Sequence, residues 1–186
     1  EKYNVPDDFK FLAVIESGLV NVVSPAGAKG VWQIMPSTGR ENGLEINQNV
    51  DERYNLEKST EVACKYLLDA KERFGSWTLA AASYNAGKNG IARRLKSQNV
   101  SDYYDLLLNE ETGRYIFRIV ALKEILNHPD KYGFNYRHKD LYKPIPTYKV
   151  ALDTAVSDFV KFSQQFGINY KILKLHNPWL RESHLN

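Results

Sequence analysis

Residues 6–18 read Pro6-Asp7-Asp8-Phe9-Lys10-Phe11-Leu12-Ala13-Val14-Ile15-Glu16-Ser17-Gly18. A proline followed by two acids opens a helix, and a glycine after a periodic apolar run closes one, so the stretch predicts a short helix stopping at Gly18. Phe9, Leu12, Ala13 and Glu16 stand at i, i+3, i+4 and i+7 and share one face. The other side carries Phe11, Val14 and Ile15, and a helix apolar nearly all round is a buried one. Glu16 therefore rides at the C-terminal pole of a core helix, where macrodipole and desolvation both disfavour a charged carboxylate. A glutamate so placed keeps its proton near neutral pH and suits general-acid work. If the helix ends at the surface instead, Glu16 is merely solvated.

Downstream the punctuation stays helical. Residues 21–35 hold Pro25, Gly27 and Gly30 and predict an ordered loop, and Pro36-Ser37-Thr38 starts a short helix ending near Gly43. Asp51 reads as the cap of a segment that continues to Phe74, with Val62, Tyr66, Leu67 and Ala70 at helical spacing and Gly75 as the stop. Residues 77–86 form a small-residue helix, 91–95 a basic one, and 111–126 a long one with Tyr115, Ile119, Leu122 and Leu126 on one face. After His128-Pro129 the stretch 132–148 is rich in Tyr, Lys, His and Pro and reads as a linker or wrapping arm. A helix over 153–166 and a short one near Ile172 complete the chain. No internal repeat or low-complexity tract interrupts it. The expectation is an all-α fold.

Composition narrows the function classes. With 186 residues, 43% of them hydrophobic and 25% charged, the chain can bury a core and belongs to the soluble class. A net charge of +3 is too small to argue for nucleic acid, so the basic run Lys88–Lys96 is expected to be a solvated helix face. The four histidines lack ligand spacing, so no metal and no cofactor are expected. The single cysteine, Cys64, cannot form an internal disulfide and reads as a core thiol. Twelve tyrosines suit a cleft that stacks on sugars while offering hydroxyls. The chain opens at Glu1 rather than Met and shows no signal peptide or membrane span, so a targeting segment ahead of it, with membrane association through it, is the expectation.

Three segments together resemble the lytic transglycosylase family related to goose-type lysozyme, and within it the membrane-bound murein transglycosylase D type. They are Glu16-Ser17-Gly18 with Ser24-Pro25-Ala26-Gly27-Ala28-Lys29-Gly30-Val31-Trp32-Gln33-Ile34-Met35-Pro36, then Ala82-Ser83-Tyr84-Asn85-Ala86-Gly87, then Glu111-Thr112-Gly113-Arg114-Tyr115. The resemblance spans roughly residues 7–127. Where many members carry an Asn-Pro turn, this chain has Leu19-Val20-Asn21-Val22-Val23.

The resemblance implies a lysozyme-like helical catalytic domain over 1–130, with 131–186 a linker and small helical C-terminal extension. It implies Glu16 as the sole catalytic acid/base. Ser24, Gln33 and Met35 would line one wall of a glycan cleft, with Tyr84 and Asn85 near the scissile sugar and Glu111 a further cleft carboxylate. Tyr115, one turn on, is at most a supporting residue. The implied reaction cleaves the β-1,4 MurNAc–GlcNAc bond of peptidoglycan without water, leaving 1,6-anhydro ends, in the bacterial cell envelope and as a monomer. Two competitors stay open: a muramidase or chitinase on the same fold, needing Glu111 or Asp51 to position a water, and a non-catalytic glycan-binding protein.

Overall fold

The computed structural model describes residues 2–186, and among them the chain is helical, with isolated β-bridges in place of a sheet. A single 3₁₀ turn at Asp7–Phe9 feeds helix α1 (Lys10–Ser17), which ends at a left-handed Gly18 as its residues predict. Helix α2 (Pro36–Glu41) follows the loop. The long segment departs from expectation: Asp51 caps only a 3₁₀ turn, Glu52–Tyr54, while the Asn55 side chain accepts the Lys58 N–H and opens α3 (Leu56–Phe74). Two capping side chains four residues apart compete here, and the one preceding the unbroken periodic run starts the helix.

Helix α4 (Trp77–Ala86) is capped by Ser76, and its Ala80, Ala81 and Ala82 are buried. With side chains that small, α3 and α6 pack closely against it. Helix α5 (Lys88–Gln98) is longer than its basic centre suggested, and α6 (Glu110–Asn127) is capped by Asn109. Phe11, Leu12, Leu67, Leu79, Ile91, Tyr115 and Ile119 meet in one core. Leu126, expected on the inner face of α6, is exposed because the helix outruns the core at its C-terminal turn.

Residues 133–155 run as an exposed arm, Lys149 pairing with Glu57 of α3 on the surface. The C-terminal unit holds α7 (Phe159–Gln165) and α8 (Tyr170–His176). Its first helix starts six residues later than expected, because Asp158 rather than Asp153 caps it. Val156 bridges Leu185, so the two ends of the unit lie side by side around a fully buried Phe159.

Candidate active site

Glu16 is the penultimate residue of α1, one turn beyond the buried Phe11, Leu12 and Ala13. Its partly buried carboxylate accepts a hydrogen bond from the Tyr115 hydroxyl of α6, a buried residue 99 positions away in sequence. Desolvation pushes the Glu16 pKa above its ordinary value. The Tyr115 hydrogen bond and the Arg118 charge pull against that rise, and the charge of Glu111 adds to it. Glu111, Tyr115 and Arg118 stand at i, i+4 and i+7, so one face of α6 presents all three toward the end of α1. A depression of about 640 Å³ opens beside Glu111 and Arg118 at the start of that helix.

Tyr84 sits one turn from the end of α4 and donates its hydroxyl to the Trp32 carbonyl at 2.8 Å. Burial, then the neighbouring Glu16 charge, push its phenol well above the ordinary range, so it stays protonated. Its link to Glu16 is thus through space, while Tyr115 makes the direct contact. Asn85 ties α4 to α6: its amide donates to Glu111 at 3.1 Å, and its carbonyl accepts the Thr112 hydroxyl at 2.8 Å. Glu111 is an exposed residue in the first turn of α6 and lies beside the depression at that helix start.

The loop between α1 and α2 is the segment expected to form a wall of the site. Ser17 holds it to the helix end, donating to the carbonyls of Val31 at 2.8 Å and Ala13 at 3.2 Å and accepting the Leu19 N–H. Ser24 closes a turn by accepting the Ala28 N–H at 3.0 Å. Gln33, in a left-handed backbone conformation, spends its side-chain amide hydrogens on the carbonyls of Gly30 and Val22, at 2.8 and 3.1 Å. Among the described residues its Oε1 has no protein donor, so the carbonyl end is what Gln33 can offer a ligand. Met35 is 41% exposed at the head of α2. Trp32, by contrast, is a core residue whose ring N–H bonds Thr60 at 2.7 Å.

A buried ion pair underlies this wall. Arg53 binds Asp51 through Nε and Nη2, both at 2.8 Å, and its Nη1 reaches the carbonyls of Gly27 at 2.9 Å and Ile34 at 3.3 Å. Lys29 adds a third contact to Asp51 at 3.2 Å. Burial alone would raise the Asp51 pKa, but the two cations outweigh it and hold the carboxyl below its ordinary value. Cys64 is half-buried with its thiol pKa raised by desolvation, which fits the inert thiol expected of it.

Sequence reasoning missed Tyr115 as the direct partner of Glu16, and missed Ser17 and Arg53 as builders of the wall. The signal for Tyr115 was there: a tyrosine one turn beyond Glu111 on the apolar face of α6. Arg53 has one near partner, Asp51, but nothing local marks its bonds to the Gly27 and Ile34 carbonyls, 26 and 19 positions away.

The model of the family described as the transglycosylase SLT domain matches residues 1–107. The chain belongs to the transglycosylase SLT domain family. Residues 148–186 match a second model, the soluble lytic transglycosylase C-terminal LysM-like domain, where the sequence reading had only a linker and small helical extension. Two curated relatives, both membrane-bound lytic murein transglycosylase D from strains of Escherichia coli, are each 31% identical over 191 residues. Those alignments cover 100% of this SLT-family chain, which spans 42% of the length of each relative. No described helix is long and apolar enough to cross a membrane.

Proposed function

We propose that this chain is a peptidoglycan lytic transglycosylase in which Glu16 is the single acid/base. The observation that carries the reading is the Glu16 carboxyl itself. It is desolvated at the end of a core helix, has its pKa raised, and is held by the Tyr115 hydroxyl at the mouth of an open wall. A group that costs stability to keep there has a purpose beyond packing.

Protonated Glu16 gives its proton to the leaving GlcNAc oxygen as the C1–O bond breaks. The C6 hydroxyl of the same muramic acid then closes on C1 and returns its proton to the Glu16 carboxylate. The nucleophile is already part of the substrate, and an effective molarity on the order of 10⁵ M or more replaces an activated water. Tyr115 fixes the carboxyl, and Tyr84, kept protonated, holds the wall through Trp32. The Gln33 carbonyl and Met35 face the glycan, and Asn85 sets Glu111 at its rim. Residues 1–130 form the catalytic unit, because α6 supplies Tyr115 and lies beyond the SLT match, and 131–186 form the appended unit. The substrate is the murein strand, which puts the work in the cell envelope.

A hydrolase would need a second carboxylate to activate water. Asp51 is committed to Arg53 and Lys29, which leaves only the exposed Glu111. The deciding test is mass spectrometry of muropeptides released from purified peptidoglycan by the native chain and by Glu16→Gln. Anhydro-muramyl ends from the native chain alone are expected. Reducing ends would mean a hydrolase, and intact binding with no product from either protein would mean a glycan-binding module.

A further inference from the structure

Among the described residues, the backbone hydrogen bonds between the C-terminal unit and the catalytic unit fall at one place. The Asp51 N–H donates to the Trp179 carbonyl at 2.8 Å, the Arg181 N–H donates to the Asn49 carbonyl at 2.7 Å, and Val50 bridges Leu180 between them. The segment that docks is itself held from behind, because Lys174 of α8 donates to the carbonyls of Leu180 and Glu182.

The residues it docks on are those that build the cleft wall. The guanidinium of Arg181 lies 4.6 Å from the centre of the Tyr54 ring, and the Lys29 ammonium of the wall lies 5.6 Å from the same ring. Tyr54 is buried, and the exposed Arg181 and half-buried Lys29 both reach its ring. Lys29 also bonds Asp51, whose backbone N–H is the one taken by Trp179, and Asp51 orients Arg53, which grips the Gly27 and Ile34 carbonyls. A continuous set of contacts thus leads from Trp179 and Arg181 through Tyr54, Asp51, Lys29 and Arg53 to the carbonyls of Gly27 and Ile34.

We propose that the C-terminal unit is a brace for the cleft wall and that Arg181 is a positioning residue for the reaction, acting through Tyr54, Asp51 and Lys29 on residues 27–34. For its activity readout this inference rests on the transglycosylase reading; for its structural readout it does not. A merely tethered unit would leave the wall unchanged when its docking weakens. A brace transmits the loss to the Gly27 and Ile34 carbonyls that Arg53 grips, the points at which the wall is held outside the core contacts of Val31, Trp32 and Ile34.

The test uses the whole chain in three variants: Arg181→Ala, which removes the cation but keeps the N–H; Arg181→Pro, which removes both; and Arg181→Lys, which keeps a cation. Amide hydrogen exchange is followed at Lys29, Gly30, Gln33 and Ile34, with the α4 core amides as the internal reference. Exchange in the wall is expected to speed up roughly twofold to fivefold in Arg181→Ala and further in Arg181→Pro, with α4 unchanged and Arg181→Lys near native. The release of anhydro ends should fall by a similar factor, in kcat more than in KM. Faster exchange confined to residues 174–186, with the wall at its native rate, would overturn the proposal. So would wall and α4 accelerating equally in the mild Arg181→Ala and Arg181→Lys variants, which would mean general loss of stability. If the native chain releases no anhydro ends at all, the transglycosylase reading fails while the exchange result still decides the brace.

Discussion

Glu16 holds its proton further up the pH scale than a solvated glutamate, chiefly because the end of α1 is desolvated. That has a sign for stability. Below the ordinary pKa of 4.5 both folded and unfolded chains carry the proton; above it the unfolded chain ionises first, so stability is lost as pH rises through the folded pKa. Glu16→Gln cannot ionise. It should melt at the native temperature near pH 4 and above it at pH 7 to 8, measured by calorimetry across about four pH units. Tyr115→Phe removes a donor that favours the ionised form, so the Glu16 pKa rises again. Turnover should fall about tenfold to a hundredfold, with the limb on which activity drops as the acid deprotonates moving to higher pH, read from pH profiles of kcat/KM. Glu16 was legible from its own flanks, since burial and helix end are both local patterns. Tyr115 was not, because its partner is 99 residues away and no local period encodes that meeting.

At the scale of elements, the helices were readable and the wall was not. Gly18 and Gly75 ended their helices where spacing put them, both in left-handed conformations that a Cβ resists. The loop before α2 is anchored by its own Val31, Trp32 and Ile34 in the core and, beyond its sequence, by Arg53 and Asp51. Gly30 shows how closely that support fits: a Cβ there would lie 2.0 Å from the Arg53 carbonyl oxygen, on a backbone with φ of +82°. Gly30→Ala should therefore destabilise by about 3 kcal/mol or more in denaturant titrations. Asp51→Asn leaves the guanidinium of Arg53, 3% exposed, without its counter-charge. A loss of about 3–5 kcal/mol is expected from the same measurement, with the native advantage fading in acid as Asp51 takes up its proton.

Over the whole molecule, the all-α architecture followed from periodicity, while the C-terminal unit kept its nature hidden. Its helices are only seven residues each, and its order comes from pairing its ends, Val156 with Leu185, a contact between positions far apart in sequence. The arm between the units is exposed from end to end and offers Arg137, Lys139 and Lys149 to trypsin. A single nick there should leave both fragments co-eluting in gel filtration, held by the Asn49–Tyr54 and Trp179–Arg181 contacts, and separating only in denaturant. Fragments that part on cleavage would show those contacts too weak to hold the units together.

The bond from Tyr115 to Glu16 also has a meaning in time. It closes the chain on itself across most of the SLT domain, so it forms only after α6 has left the ribosome and docked. An emerging chain with α1 already coiled would still hold its acid in open water, with an ordinary glutamate's affinity for protons. On the transglycosylase reading, cleavage is thereby withheld from every copy whose α6 has not yet docked.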